Sequence, residues 1–401
     1  MTGYSIRIQP AEFRQRAERL LQIVQEQNLR GVLLFDSVNI LYFSGFAFIP
    51  TERLIAFALS AAGERAMVVP RLELEHAQAE AELDRVAHYA EYPGDPHPTT
   101  VLRQLLTDMD IITAGERIGA DRNGYPWIFG YEGTPLDMLT GMEFINLQSQ
   151  INRMQAVKSA AELALIRESC RWTHLAHTLL QRYTAVNETE TAVGLRASQE
   201  ATLAMLDAIG PLYRSQDIWS SGPSAYYRGQ IGRGAAIPHA LANNITFQPG
   251  DVLVTGAACP VWGYNSELER TMFIGEPDDR QKELFRHMKT AQEIAFAAIK
   301  PGARCRDVDT AVRAYYDKHD LMPYWKHHSG HAIGLRYHEG PFLDTGDETV
   351  IREGMVFTVE PGFYDANIGG FRHSDTAAVA HDGIEILTYY PRDWPSLVIP
   401  I

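Results

Sequence analysis

The sequence predicts an α/β (α+β) protein of two domains, on three observations. At 401 residues the chain is long enough to bury two separate cores. Helical and strand patterns alternate over the first 150 residues. A capping box at Ser159-Ala160-Ala161-Glu162 then opens a second, longer unit, because Ser159 and Glu162 can satisfy each other's backbone donors. In the first unit, Pro10 opens a helix with Phe13, Ala17, Leu20 and Val24 on one face, closed by Gly31. Residues 32–35, 55–59 and 67–69 are short apolar runs that suit buried strands, and 39–46 and 51–53 between them read as loop. Helical patterns return at 72–81 and 99–108. The boundary falls within 152–158, giving domains 1–155 and 156–401. The second domain opens on a long amphipathic helix through Leu163, Ile166, Cys170 and Leu180. Strands at 252–255, 357–360 and 376–380 and helices at 281–299 and 307–319 follow. No tandem repeat or low-complexity segment interrupts them.

Composition excludes several classes of function. With 36 Lys and Arg against 50 Asp and Glu, the formal charge of −14 opposes general affinity for nucleic acid or anionic membranes. Cys170, Cys259 and Cys305 lie far apart and form no C-x-x-C pair, so neither a disulfide framework nor a zinc knuckle is expected. The first 16 residues lack the apolar core of a signal peptide, and no apolar run reaches the ~18 residues that span a bilayer. A cytoplasmic protein with no nucleic-acid or membrane partner is expected.

Four histidines and two glutamates sit in contexts that suggest chemistry. His239 follows Ser221-Gly222-Pro223 and Pro238. His331 and His338 lie in His327-His328-Ser329-Gly330-His331 and His338-Glu339-Gly340-Pro341, and His373 in Gly369-Gly370-Phe371-Arg372-His373-Ser374-Asp375-Thr376. Glu267 and Glu360 stand at strand ends. Taken singly, a buried histidine is more often a hydrogen-bonded core residue than a catalyst, and a strand-end glutamate is usually solvated. The ordered set of six carries more weight than any member.

That ordered set resembles the creatinase/prolidase (pita-bread) family, which includes prolidase, aminopeptidase P, methionine aminopeptidase and creatinase. The spacings agree, with seven residues from His331 to His338 and fourteen from Glu360 to Ser374. The segment 157–162 resembles the opening of the catalytic domain, and the N-terminal part resembles the family's N-domain. The resemblance implies a pita-bread catalytic domain with a curved, mainly antiparallel sheet, a smaller α/β N-domain, and a homodimer. The family's peptidases hold two metals with Asp, Asp, His, Glu and Glu. Position by position these become Thr255 or Gly256, then Glu267, His331, Glu360 and Ser374, so two anionic ligands are absent.

Creatinase shows a similar loss, works without metal, and resembles this chain at Gly263-Tyr264, at 268–271 and at 300–305. The leading expectation is therefore a creatinase-like hydrolase with no cofactor, cleaving a C–N bond of a small cationic or zwitterionic nitrogen compound. The resemblance gives His239 the acid/base role, with His331, His338 and Glu360 completing the catalytic set. Glu267 and His373 would bind substrate, and Arg53 would hold a carboxylate from across a dimer. The first alternative is a metal-dependent Xaa-Pro dipeptidase, aminopeptidase or lyase with one Mn, Zn or Fe ion on Glu267, His331 and Glu360. The second is a non-catalytic binding member of the family.

Overall fold

The computed structural model describes residues 6–218 and 220–401, which divide into two compact units, Ile8–Met154 and Gln155–Ile401. In the first, a six-stranded sheet runs in the order Arg85–Tyr89, Arg65–Pro70, Ala56–Ser60, Gly31–Leu34, Arg117–Ala120, Glu143–Asn146. The central strand Gly31–Leu34 is antiparallel to Ala56–Ser60 and parallel to Arg117–Ala120.

Two local expectations are corrected here. The first helix ends at Glu26, and Gly31 instead begins a strand. Part of the segment expected as loop is the helix Ser37–Ser44. The Asp36 side chain caps it by accepting from the amides of Val38 and Asn39, and Gly45 closes it at φ +79°. Six consecutive residues of this helix, Asn39 to Ser44, are buried, so no amphipathic stripe marks it in the sequence. Buried Asp121 fastens its start, accepting from the amides of Phe35 and Asp36 and from Asn39 Nδ2, each at 3.0 Å.

In the second unit, Ser159 and Glu162 form the expected capping box of helix Ala160–Tyr183. An antiparallel sheet runs in the order Glu339–Leu343, Gly330–Ala332, Val356–Val359, Ser374–Ala380, Glu267–Glu269, Gly256–Ala258, Ser224–Tyr226. Helices Ala160–Tyr183 and Glu190–Ile209 pack together, as do Asp279–Ala298 and Cys305–Lys318. Among the described residues no helix is long and apolar enough to cross a membrane.

Strand periodicity sorts the polar residues of this sheet into two systems, since alternate side chains point to opposite faces. Ser266, Leu268 and Asp375 face the helices. Ser266 hydroxyl meets Ser169 and Thr173 of the first helix at 2.7 and 2.9 Å. Asp375 accepts from Arg270 (2.7 Å), Gln292 (3.0 Å) and Thr388 (2.7 Å) in a fully buried network. Glu267, Glu269 and Ser374 occupy the other face. Removing one partner of a buried ion pair leaves the other charge stranded, at a cost of roughly 3–5 kcal/mol. Asp375→Ala, which strands Arg270, is expected to destabilise the protein by that amount in urea unfolding; a loss below about 1 kcal/mol would contradict this account of the network.

Candidate active site

The face carrying Glu267 opens into a cavity of about 510 Å³ lined by Arg228, His239, Glu267, Glu269, Lys326, His327, His328, Tyr337, His338, Glu360 and Arg372, among others. Neighbouring strands set its floor. Glu269 pairs with Ser374 and Val359 with Asp375, which brings Glu360 alongside the same strand. His331 comes from the short strand Gly330–Ala332 and is fully buried. Its Nδ1 donates to its neighbour's carbonyl, Ala332 O, at 2.9 Å, so that in the neutral imidazole the lone pair falls on Nε2. That Nε2 lies 3.3 Å from Glu360 Oε1, yet it is buried with no well-aligned hydrogen bond among the described residues. The contact is an electrostatic approach rather than a directed bond.

The charges in this pocket distort one another. Burial, then Glu360 and Glu269, raise the Glu267 carboxyl to about 7. Burial works against charge on His331, but Glu360 and Glu267 lift it to about 9. Burial likewise opposes charge on Glu360, and His331, His327 and Arg372 outweigh it and hold that carboxyl well below its ordinary range. His338 stacks on His331 with ring centres 3.8 Å apart, and burial together with His331 pulls it down to about 4. Ser374 Oγ donates to Glu267 at 2.5 Å.

Of the residues singled out from sequence, the structure brings His239, His331, His338, Glu267 and Glu360 together. It does not bring His373. That side chain has the parity of Asp375, is fully buried, and meets the ring of Phe285 edge-on at 5.1 Å. Burial and the nearby Arg270 and Arg392 push its pKa well below the ordinary value. Arg53 belongs to the other unit, where its guanidinium binds Glu91 (2.7 and 3.2 Å) and Glu52 (2.5 Å).

Glu269, Arg372 and Arg228 are among the polar residues of the site that escaped the sequence reading. Arg372 grips Glu269 with Nε and Nη2, donates to Tyr364 hydroxyl at 3.1 Å, and approaches Glu360 to 3.8 Å. It arrives on the hairpin Gly362–Asp365/Gly369–Arg372. Arg228 lies over the ring of Tyr226 at 5.2 Å. The signal for Glu269 and Arg372 was available, since each is two residues from a position already singled out, Glu267 or Ser374, and so shares its face. Arg228 lies in the segment before His239, which carries no comparable pattern. Glu190 pins this segment, its carboxylate accepting from the amides of Gly229 (2.6 Å), Asn243 (2.8 Å) and Ile245 (3.2 Å). Of the adjacent tyrosines, Tyr227 packs in the core against Phe247, while Tyr226 hydroxyl reaches Tyr337 at 3.3 Å.

Two overlapping groups of donors lie in this site. Glu267, His331 and His338 offer ligand atoms within 4.8 Å of one another, and Glu267, Glu269 and Glu360 do the same. His331 Nε2, which makes no aligned hydrogen bond among the described residues, with Nδ1 tied to a carbonyl, is oriented as a ligating imidazole is. The positions that would complete a second site are otherwise engaged. Thr255 hydroxyl binds His177 at 2.6 Å on the helix face. A Cβ on Gly256 would stand 2.2 Å from the Tyr226 ring, so the ring fills the space a carboxylate there would need.

Residues 164–381 match the model of metallopeptidase family M24, and residues 16–165 match the creatinase/prolidase N-terminal domain. The chain is 26% identical to an Xaa-Pro dipeptidase of Pyrococcus furiosus over 95% of its own length and 99% of that protein's. Among solved structures it is similar to a dipeptidase from Mycobacterium ulcerans (TM-score 0.83, 23% identity, 98% and 100% of the two chains covered). It is also similar to the prolidase from Pyrococcus horikoshii (0.78, 23%, 94% and 99%). These findings overturn two expectations. The relatives are dipeptidases of a metallopeptidase family, against a metal-independent hydrolase of cationic nitrogen compounds, and for the same reason the expectation of no cofactor is withdrawn. The physical error lay in ranking the loss of two carboxylates above the donors that remain, since Glu267, His331 and Glu360 still lie close together.

Two outcomes test this geometry. Gly256→Asp is expected to destabilise the fold by roughly 1–3 kcal/mol through collision with Tyr226, with much of the loss recovered in Gly256→Asp/Tyr226→Ala; additive losses in thermal unfolding would contradict it. The second concerns pH. His331 is raised from 6.5 to about 9 and Glu267 from 4.5 to about 7, so in both cases the folded state holds its proton longer. The associated stability is present below the unfolded values and lost as pH rises through the folded ones. Chelated protein should therefore lose stability in urea between pH 6.5 and 9, and His331→Gln should flatten that window. An unchanged slope in the variant would refute the assignment.

Proposed function

The chain is a hydrolase belonging to metallopeptidase family M24, the creatinase/prolidase family, and on that premise we propose that it is a metal-dependent peptidase acting on Xaa-Pro dipeptides through one divalent cation. The observation that carries the reading is the buried Nε2 of His331, which among the described residues makes no aligned hydrogen bond and lies 3.3 Å from Glu360, with Glu267 nearby. Clustered carboxylates out of water repel, and a divalent ion relieves them at the cost of a proton on His331. A cation on Glu267, His331 and Glu360, of the Mn, Zn or Fe type that mixed imidazole and carboxylate donors accept, would supply Lewis acidity to the scissile carbonyl.

The chain's own residues supply the rest. Glu360, at the cavity edge, takes the proton of the attacking water. His338, kept neutral near pH 7, donates a hydrogen bond to the carbonyl oxygen as charge develops there. Glu360 then gives up that proton, which His239 at the cavity wall passes to the departing proline nitrogen. Arg372 holds Glu269 and so fixes the carboxylate that the ion does not need.

The test is hydrolysis of a panel of Xaa-Pro dipeptides by protein stripped with chelator and then reloaded with Mn²⁺, Zn²⁺ or Fe²⁺. Activity should vanish on stripping and return with one of these ions, and His331→Ala should lower it by more than about 100-fold, beyond what losing an outer-shell partner of a metal ligand costs. Activity that survives chelation, or no hydrolysis with any ion, would defeat the reading.

A further inference from the structure

Helix Cys305–Lys318 turns a buried stripe inward, made of Cys305, Val308, Asp309, Val312 and Tyr316. One member of this otherwise apolar and aromatic row is a carboxylate, and its side chain has no exposed surface. Burying an ionised carboxylate is unfavourable unless it is paired and hydrogen-bonded, so its partners show what it is held for. Among the described residues, the directed bonds that Asp309 accepts both come from Ser329. The amide donates to Oδ1 at 3.1 Å and the hydroxyl to the same oxygen at 2.7 Å. The other oxygen faces Arg313, one turn further along, whose Nε stands 2.7 Å away without hydrogen-bond alignment. That guanidinium also reaches Asp344 at 3.1 Å and lies over the ring of Trp325.

Ser329 is the residue through which His331 and Glu360 are joined. It stands two positions before His331, and its carbonyl accepts from the amide of Glu360 at 2.8 Å. The His331 amide donates to Thr358 Oγ1 at 3.2 Å, two positions before Glu360, so the two segments lie against each other on both sides of Ser329. The distance of 3.3 Å between His331 Nε2 and Glu360 Oε1 therefore depends on where Ser329 is held. Pairing of the strands does not need Asp309 for this. The Ser329 amide also donates to Leu343 O at 3.1 Å, and strand Gly330–Ala332 has its own register with Glu339–Leu343. Asp309 adds a fixed point on a helix, outside the sheet, to which the segment carrying His331 is tied.

We propose that Asp309 is a positioning residue for the cation site: through Ser329 it sets the spacing of His331 and Glu360, and with it the affinity of the site for its ion. Donor groups need to be held to within about 0.5 Å of a productive geometry, which a buried carboxylate on a helix can do for a short strand. The proposal rests on the part of the peptidase reading that gives these two residues a divalent ion, and not on which peptide is cleaved.

The experiment titrates Mn²⁺ calorimetrically into the chelated full chain, in wild type, Asp309→Ala, Asp309→Asn and Ser329→Ala, at a temperature where thermal unfolding shows each to be folded. Asp309→Ala should weaken Mn²⁺ binding by about tenfold or more, as loss of an outer-shell partner does. Ser329→Ala should weaken it in the same direction by less. Asp309→Asn keeps an oxygen for Ser329 while losing the charge opposite Arg313, so it should lower the unfolding temperature yet restore most of the affinity. A merely structural role would move the unfolding temperature and leave the affinity alone. Wild-type affinity in Asp309→Ala, or an Asp309→Asn as weak as Asp309→Ala, overturns the proposal; should Asp309→Ala not fold, unchanged affinity in Ser329→Ala does so. Xaa-Pro hydrolysis by the loaded chain, assayed alongside, separates the two readings. Ion-dependent hydrolysis with an affinity that Asp309→Ala leaves intact removes the proposal and keeps the peptidase. Affinity that follows Asp309, without hydrolysis, keeps the proposal and removes the peptidase. A wild type that binds no Mn²⁺ overturns the proposal.

Discussion

Three buried carboxylates, Glu267, Glu269 and Glu360, converge on one face of the antiparallel sheet, and the rest of the site answers to their repulsion. Out of water, like charges at this spacing cannot all stay ionised without compensation. Arg372 supplies one positive charge from the hairpin 362–372, oriented by Tyr364. His331 supplies a second only while it keeps a proton, and Glu267 is left with its carboxyl raised toward neutrality. A divalent cation held there would relieve both arrangements, with His331 giving up its proton and Glu267 ionised.

Sheet periodicity keeps that demand from spreading into the core. On the helix side, Arg270, Asp375, Gln292 and Thr388 form a separate network in which Asp375 is already matched. The face that departs most from the two-metal pattern is internally consistent. Tyr226 occupies the space beside Gly256, and the hydroxyl of Ser374 reaches Glu267 where a further carboxylate would repel it.

Much of this was legible before any coordinates. The order of the motifs identified the family, and His239, His338, Glu267 and Glu360 do share one cavity, with His331 buried against His338 and Glu360. His373 was misplaced because a motif names neighbours in sequence, whereas a strand sends neighbours to opposite faces; counting in twos from Ser374 would have moved it to the core and brought in Arg372. Glu269 follows from Glu267 by the same count. Arg228 was not legible, since its position depends on a left-handed turn held by Glu190, whose partners lie 39 to 55 residues away. The helix at 37–44 was hidden for a different reason. Buried on nearly every side, it shows no apolar stripe to contrast with a polar one.

The central claim is that this site holds a single divalent cation on Glu267, His331 and Glu360. Anomalous diffraction at the manganese edge, from crystals grown with Mn²⁺, addresses it most directly. The account predicts one peak, within bonding distance of His331 Nε2 and of oxygens from Glu267 and Glu360. No peak in the cavity, or two peaks sharing those carboxylates, would contradict it.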